Sequence, residues 1–237
     1  MAQQKFMRLF AKWHIWLGWL VGFPVLMWTV TGLVMVITPI EEVRGSHLRV
    51  PQASEPLTGM AEYPRVGPEE GVMSITQRMA HGEPIAILTM NDGSQRRYSL
   101  ETGEEMEPVE REQALAIVAR DIVGGEDAVG AEFFAADEAP FDFRRPIPSW
   151  QVALEDGTHI YVNAQTAEVA AVRTRWWRVF DFMWGLHIMD LQTRELDQQS
   201  PFNYFMLVSF AVLGVLGSLL GCVLMFRRRK ARVKAPS

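Results

Sequence analysis

"IWLGWLVGFPVLMWTVTGLVMVITPI", residues 15–40, runs for 26 residues without a charged side chain. A helix rises about 1.5 Å per residue and needs about 20 apolar residues to cross a hydrocarbon core. The run is long enough to span with some tilt. A cleaved secretory leader has a shorter apolar region, about 7–15 residues, and a small-x-small site. This run is longer and shows no Ala-x-Ala, so it reads as a retained anchor. Pro24 inside it predicts a kink. A second uncharged run, "PFNYFMLVSFAVLGVLGSLLGCVLMF", occupies 201–226.

The charges give the orientation. Lys5, Arg8 and Lys12 precede the first run, and Arg227, Arg228, Arg229, Lys230, Arg232 and Lys234 follow the second, with no acid in either flank. All 28 carboxylates lie in 41–200, against 14 arginines and no lysine. Basic clusters beside apolar runs mark cytoplasmic ends. Both termini are therefore expected on the cytoplasmic side of a bacterial inner membrane, with the acidic middle in the periplasm. This is a lipid-facing pattern and not a nucleic-acid footprint. The single cysteine, Cys222, lies inside the second run, which excludes an intramolecular disulfide.

Between the spans the chain repeats itself. At a constant offset of 64, Asp92-Gly93 matches Asp156-Gly157, and Thr102 and Glu104 match Thr166 and Glu168. Asp-Gly between two strand-like runs is a hairpin signal. Residues 109–123 place Ala114, Ile117, Val118 and Ile122 on one face, which predicts an amphipathic helix before the second hairpin. Residues 67–82 predict a weaker helix before the first, and 124–146 a connecting loop. Residues 173–195 form a further amphipathic stretch, with Trp176, Phe180, Met183, His187 and Leu191 on one face and Arg175, Arg178, Asp181 and Gly185 opposite. Its uncharged part is too short to span, so it is placed at the membrane surface.

The expected order is a cytoplasmic N-terminus (1–13), transmembrane helix 1 (14–40), a tether (41–66), a tandem domain (67–172), an interfacial helix and linker (173–200), transmembrane helix 2 (201–226) and a basic cytoplasmic tail (227–237).

Both spans carry small residues on one face: His14, Gly18, Gly22, Thr29 and Gly32 in the first, Asn203, Phe210, Gly214, Gly217 and Gly221 in the second. Gly22, Gly32, Gly214, Gly217 and Gly221 are read as helix-packing positions, within the chain or in a homodimer. Gly18 beside His14 admits a second reading, as room for a flat cofactor. Of the five histidines, His14 and His187 are the binding candidates. His159 reads as an exposed strand residue, His81 as a turn residue and His47 as part of the tether. His187 and Met189 point apart at helical spacing, so they make no metal pair. No nucleophile constellation stands out, and Glu69-Glu70 and Glu104-Glu105 read as solvated acidic surface.

Three elements resemble the PepSY-associated transmembrane family: "KWHIWLGWLVGFPVLMWTVTGL" (12–33), the hairpin "WQVALEDGTHIYVNAQTAEVAAV" (150–172), and "WGLHIMD" (184–190) ahead of a glycine-bearing span and "FRRR". The resemblance covers nearly the whole chain. It implies an α+β membrane protein with two transmembrane helices flanking a periplasmic domain of two PepSY-like helix-plus-hairpin halves, and an interfacial amphipathic helix before the second span. Larger relatives include siderophore-linked ferric reductases whose membrane histidines hold b-type haem. His14 and His187 match the family histidines, with Gly18 one turn from the first. One crossing of about 30 Å separates the two ends, so a haem here needs a homodimer or a partner's histidine. Only two clear spans are present, with no flavin or nicotinamide motif, which leaves at most part of a ferric-reductase-type system.

Two functions stay open. One is an accessory of iron or siderophore uptake, haem-bearing and assisting electron transfer. The other is a non-catalytic module that docks or restrains a periplasmic protease or envelope partner.

Overall fold

The computed structural model describes residues 2–52, 55–67, 71–194 and 200–233. In chain order the elements are α1 (Ala2–Ile37), α2 (Ile40–Arg44), β1 (Val72–Ala80), β2 (Glu83–Met90), β3 (Gln95–Ser99), α3 (Arg111–Asp121), β4 (Ala128–Phe134), β5 (Ser149–Leu154), β6 (His159–Asn163), β7 (Val169–Arg173), α4 (Arg175–His187) and α5 (Pro201–Val233). They fall into two compact units, 1–38 with 179–237, and 39–178. The side chains of the basic tail, 227–237, lie outside the described residues, as do linker residues 195–199.

In the first unit, α1 and α5 are both long and apolar enough to cross a membrane. They pack along each other, and from Trp13 to Ile37 and from Phe202 to Phe226 their exposed side chains are mostly apolar. Trp19 is 84% exposed and Val36 85%, a state that suits lipid and not water. α1 runs through Pro24 as one helix. The hydroxyls of Thr29, Thr31 and Thr38 each donate to a carbonyl one turn back, at 2.8 Å, so none of these three hydroxyls is left unpaired in the apolar surroundings.

α4 turns a different face inward than its apolar pattern predicts. Trp177, Asp181, Gly185 and Ile188 are buried, while Trp176, Val179 and Phe182 stand exposed. The segment 190–194 folds back over this helix and supplies the polar partners. Arg194 pairs with Asp181, and the Trp184 indole N–H donates to the Arg194 carbonyl at 3.0 Å. A carboxylate inside is tolerated because it is paired, and the large apolar side chains are released to the outside.

The second unit holds two antiparallel sheets, β1-β2-β3 and β4-β5-β6-β7. The expected repeat is real. Hairpins β2–β3 and β5–β6 carry the two Asp-Gly turns, with Gly93 at φ +81° and Gly157 at φ +80°. In each turn the aspartate accepts a backbone N–H two residues on, from Ser94 at 2.9 Å and from Thr158 at 2.7 Å.

α3 forms where the sequence places it. Glu110 caps it in a reciprocal box with Gln113. Its buried face, Ala114, Ile117 and Val118, packs with Ile122 onto Val152, Leu154, Ile160 and Val162.

Two expected segments are corrected. The described residues of 67–82 form no helix; 72–80 are strand β1, paired along its length with β2. The spacing of Val72, Ile75 and Met79 suits a helix as well as a half-exposed strand, and pairing with β2 decides. The expected loop 124–146 contains β4, which pairs with β5. The 41–66 segment is also more than a tether. Arg49 bridges Ile122, and Leu57 and Val66 pack on Ala86, Leu88, Met90, Tyr98 and Leu100. The N–H groups of Ala61 and Glu62 both donate to the Leu100 carbonyl at 2.9 Å. Among its described residues the first half thus has no helix matching α3, and Leu57 and Val66 cover its sheet instead. The α+β class, with apolar helices on either side of a strand-rich middle, holds.

Candidate functional site

The two singled-out histidines each join helices of the first unit. His14 Nδ1–H donates to the Gly217 carbonyl at 3.0 Å. His187 Nδ1 lies 2.9 Å from the Thr31 hydroxyl. That hydroxyl spends its proton on the Met27 carbonyl, so the imidazole N–H is the donor. His187 therefore meets α1 about two turns inside its end and is not solely a surface anchor.

The glycines explain the close approach. A Cβ at Gly221 would stand 2.9 Å from His14 Cε1, and one at Gly32 would stand 3.4 Å from His187 Cε1. Cβ atoms at Gly214 and Gly217 would meet Val25 and Leu17 at 3.5 and 3.7 Å. These four line the contacts within the chain. Gly18 and Gly22 face open space, so neither packs the two spans together.

The histidines do not fit a shared haem within one chain. On α1 the level of His14 and that of Thr31, where His187 docks, lie about 25 Å apart at 1.5 Å per residue. The hollows at Gly221 and Gly32 are filled by the imidazoles themselves. Each ring taken singly has the form of a ligating histidine, with Nδ1–H tied to an oxygen and Nε2 left as the basic nitrogen.

Sequence reasoning passed over Asp142. The segment 135–148 lies on one face of the four-stranded sheet. Phe143 is 2% exposed and stacks on Tyr161, ring centroids 4.3 Å apart and planes within 9°. The Asp142 carboxylate accepts hydrogen bonds from His159 Nδ1, at 3.0 Å, and from the Tyr161 hydroxyl, at 2.5 Å. Arg178 stands 3.6 Å away. Burial raises the Asp142 pKa, but these bonds and the neighbouring positive charge outweigh it and hold the carboxyl below its usual range. Burial and the same carboxylate push the Tyr161 hydroxyl well above the phenol range. His159 is thus a half-buried partner, not the exposed strand residue expected.

The second unit also contains a cavity of about 860 Å³ between its halves. The first half contributes Arg78, His81, Ile85 and Arg97; the second contributes Gln113, Ile117 and Arg120 of α3 and the turn 166–169. Arg78 pairs with Glu168 at 2.7 Å, and Arg97 donates to the Glu107 carbonyl at 3.2 Å. Both guanidinium Nε–H groups are nonetheless buried without an acceptor in the protein. Such a donor costs about 1–3 kcal/mol when nothing fills the need. Burial lowers the Arg97 pKa, and Glu83 opposes this while Arg78 adds to it; an arginine stays charged through such a shift. The cavity therefore sets Arg49, Arg78, Arg97 and Arg120 among Glu83, Asp121 and Glu168, with Ile85 and Ile117 as apolar wall. No sequence pattern announces it, because Arg78 and Arg97 are brought onto one face only by strand pairing through Ile85 and Ile87.

Comparison with curated proteins and with solved structures gives no match. The family model described as the PepSY-associated TM region matches residues 7–237. That match takes in both histidine-bearing helices, the doubled hairpin and the chain between them, and on it the chain belongs to the PepSY-associated transmembrane family.

Proposed function

We propose that this membrane protein is a tethered binding module. In this reading both termini face the cytoplasm of a bacterial inner membrane, the central domain stands in the periplasm, and the cleft between its halves holds or restrains a protease or other envelope partner. The observation that carries it is the cleft itself, about 860 Å³ and walled by both halves. Binding sites for small ligands and short segments occupy about 300–1,000 Å³. The basic flanks of the two helices support the orientation.

Site-specific photo-crosslinking in intact cells tests it. A photoreactive residue at Gln113, in the cleft, is expected to give one discrete adduct, identified by mass spectrometry. The same residue at Val129, exposed on β4, is expected to give none. Adducts formed only with further copies of the chain, or equally from both positions, count against the reading.

A second reading is an accessory of iron or siderophore uptake, with b-type haem held between histidines of two copies or of a partner. Its support is the Nδ1–H tether of each imidazole. Protein produced under haem supply should then show a Soret band that His187→Ala or His14→Ala diminishes. Repeated preparations without such a band would remove the haem.

A further inference from the structure

Residues 64 apart occupy the same place on the two hairpins: Arg97 and Tyr161, Ile87 and Gln151, Ile85 and Ser149. In the second half the occupant of this face belongs to the chain. Phe143 lies flat on Tyr161, and the Asp142 carboxylate is received by Tyr161 and His159. The occupant is an acidic side chain with an aromatic one beside it, on an extended segment.

The first half offers the same face to the cleft. Arg78 and Arg97 lie on either side of β2, with Ile85 and Ile87 between them. Arg78 already pairs with Glu168 through Nη2, but the Nε–H groups of both arginines are buried without an acceptor in the protein, and a further carboxylate meets that need. The isoleucines replace the polar Ser149 and Gln151 of the other half, so the floor suits an apolar side chain better.

Resting on the binding-module reading, we propose that the cleft takes an extended peptide segment of the partner. One Asp or Glu side chain is received by Arg78 and Arg97, and a neighbouring apolar side chain rests on Ile85. A small free carboxylate shares the charged part of this chemistry.

The test uses the full chain in lipid nanodiscs and a fluorescent pentapeptide, Ala-Pro-Phe-Asp-Phe, copying residues 139–143. Saturable binding is expected. Replacing the peptide's Asp by Asn should weaken it roughly ten- to a hundredfold, the range for a lost charge-assisted hydrogen bond. Arg97→Gln and Arg78→Gln should weaken it similarly, Arg97→Lys less, and Arg111→Gln, outside the cleft, not at all. The Asn peptide needs no protein variant, so the result does not depend on how the variants fold. Equal binding of the Asp and Asn peptides, wild-type binding by the glutamine variants, or binding of citrate without the peptide overturns the proposal. So does failure of the peptide to bind at all; crosslinks from Gln113 would then leave the module standing without this ligand class.

Discussion

The two halves of the central domain share a hairpin and differ in what lies on it. In the second half, helix α3 covers one face and the segment 135–148 covers the other, so the sheet is closed by its own chain. In the first half, the extended segment with Leu57 and Val66 takes the place of the helix, and the opposite face looks into the cleft. A repeated supersecondary unit thus gives one half whose outer face is covered by its own chain and one whose equivalent face keeps two buried arginine Nε–H donors without a protein acceptor. Stability belongs chiefly to the first arrangement and binding capacity to the second.

The sharpest way to break this contrast is to uncover the closed face. Phe143→Ala removes the ring stacked on Tyr161 and is expected to destabilise the domain by about 3–5 kcal/mol, read by denaturation of the full chain in detergent. A loss below about 1 kcal/mol would mean that the segment 135–148 is not part of the fold's closure.

Asp142→Asn should cost less, about 1–3 kcal/mol. Its pH dependence has a definite sign. The carboxyl's folded pKa lies below its unfolded value of 3.8, so its stabilisation is complete above that value and disappears as pH falls through the folded pKa. Wild type and variant should converge in acid. A gap that widens there would contradict the assignment.

Smaller effects separate the two turns. Alanine at Gly93 or Gly157 must hold a positive φ, which costs about 1–2 kcal/mol. At Gly93 nothing lies within 4 Å of the added carbon, whereas at Gly157 it meets Arg175 Nε at 2.7 Å. Gly157→Ala should therefore be the more destabilising of the two in thermal melts, by the displacement of that side chain.

The smallest change is expected at Glu168. Its pair with Arg78 is largely solvated, 35% and 47% exposed, and such pairs contribute about 0–1 kcal/mol. Glu168→Gln should leave melting nearly unchanged while freeing Arg78, and so tighten peptide binding.

These contrasts also show what the sequence can reveal. The spans, the doubled Asp-Gly hairpin and α3 rest on local signals: apolar length, turn chemistry, and a helical period with a cap. β1 rests on pairing with β2 across the turn His81-Gly82, and β4 on pairing with β5 beyond the segment 135–148; their residues carry no strict alternation that would mark them. The glycines of α5 were legible as small, but that Gly221 admits an imidazole and Gly18 meets nothing is decided by which faces of two helices meet. Asp181 reads in the sequence only as part of a polar helix face, and Asp142 lies unmarked in the expected loop, because their partners, Arg194 and His159, come from other segments. The cleft is the extreme case. Its arginines are 19 residues apart on β1 and β3 and have meaning only as neighbours across β2.

Hydrogen–deuterium exchange of the membrane-embedded full chain, with and without the pentapeptide, tests the contrast between the halves most directly. Slowed exchange confined to β1, β3 and α3, with β5 and β6 unchanged, is the predicted result. Equal protection of both hairpins, or none in either, would contradict it.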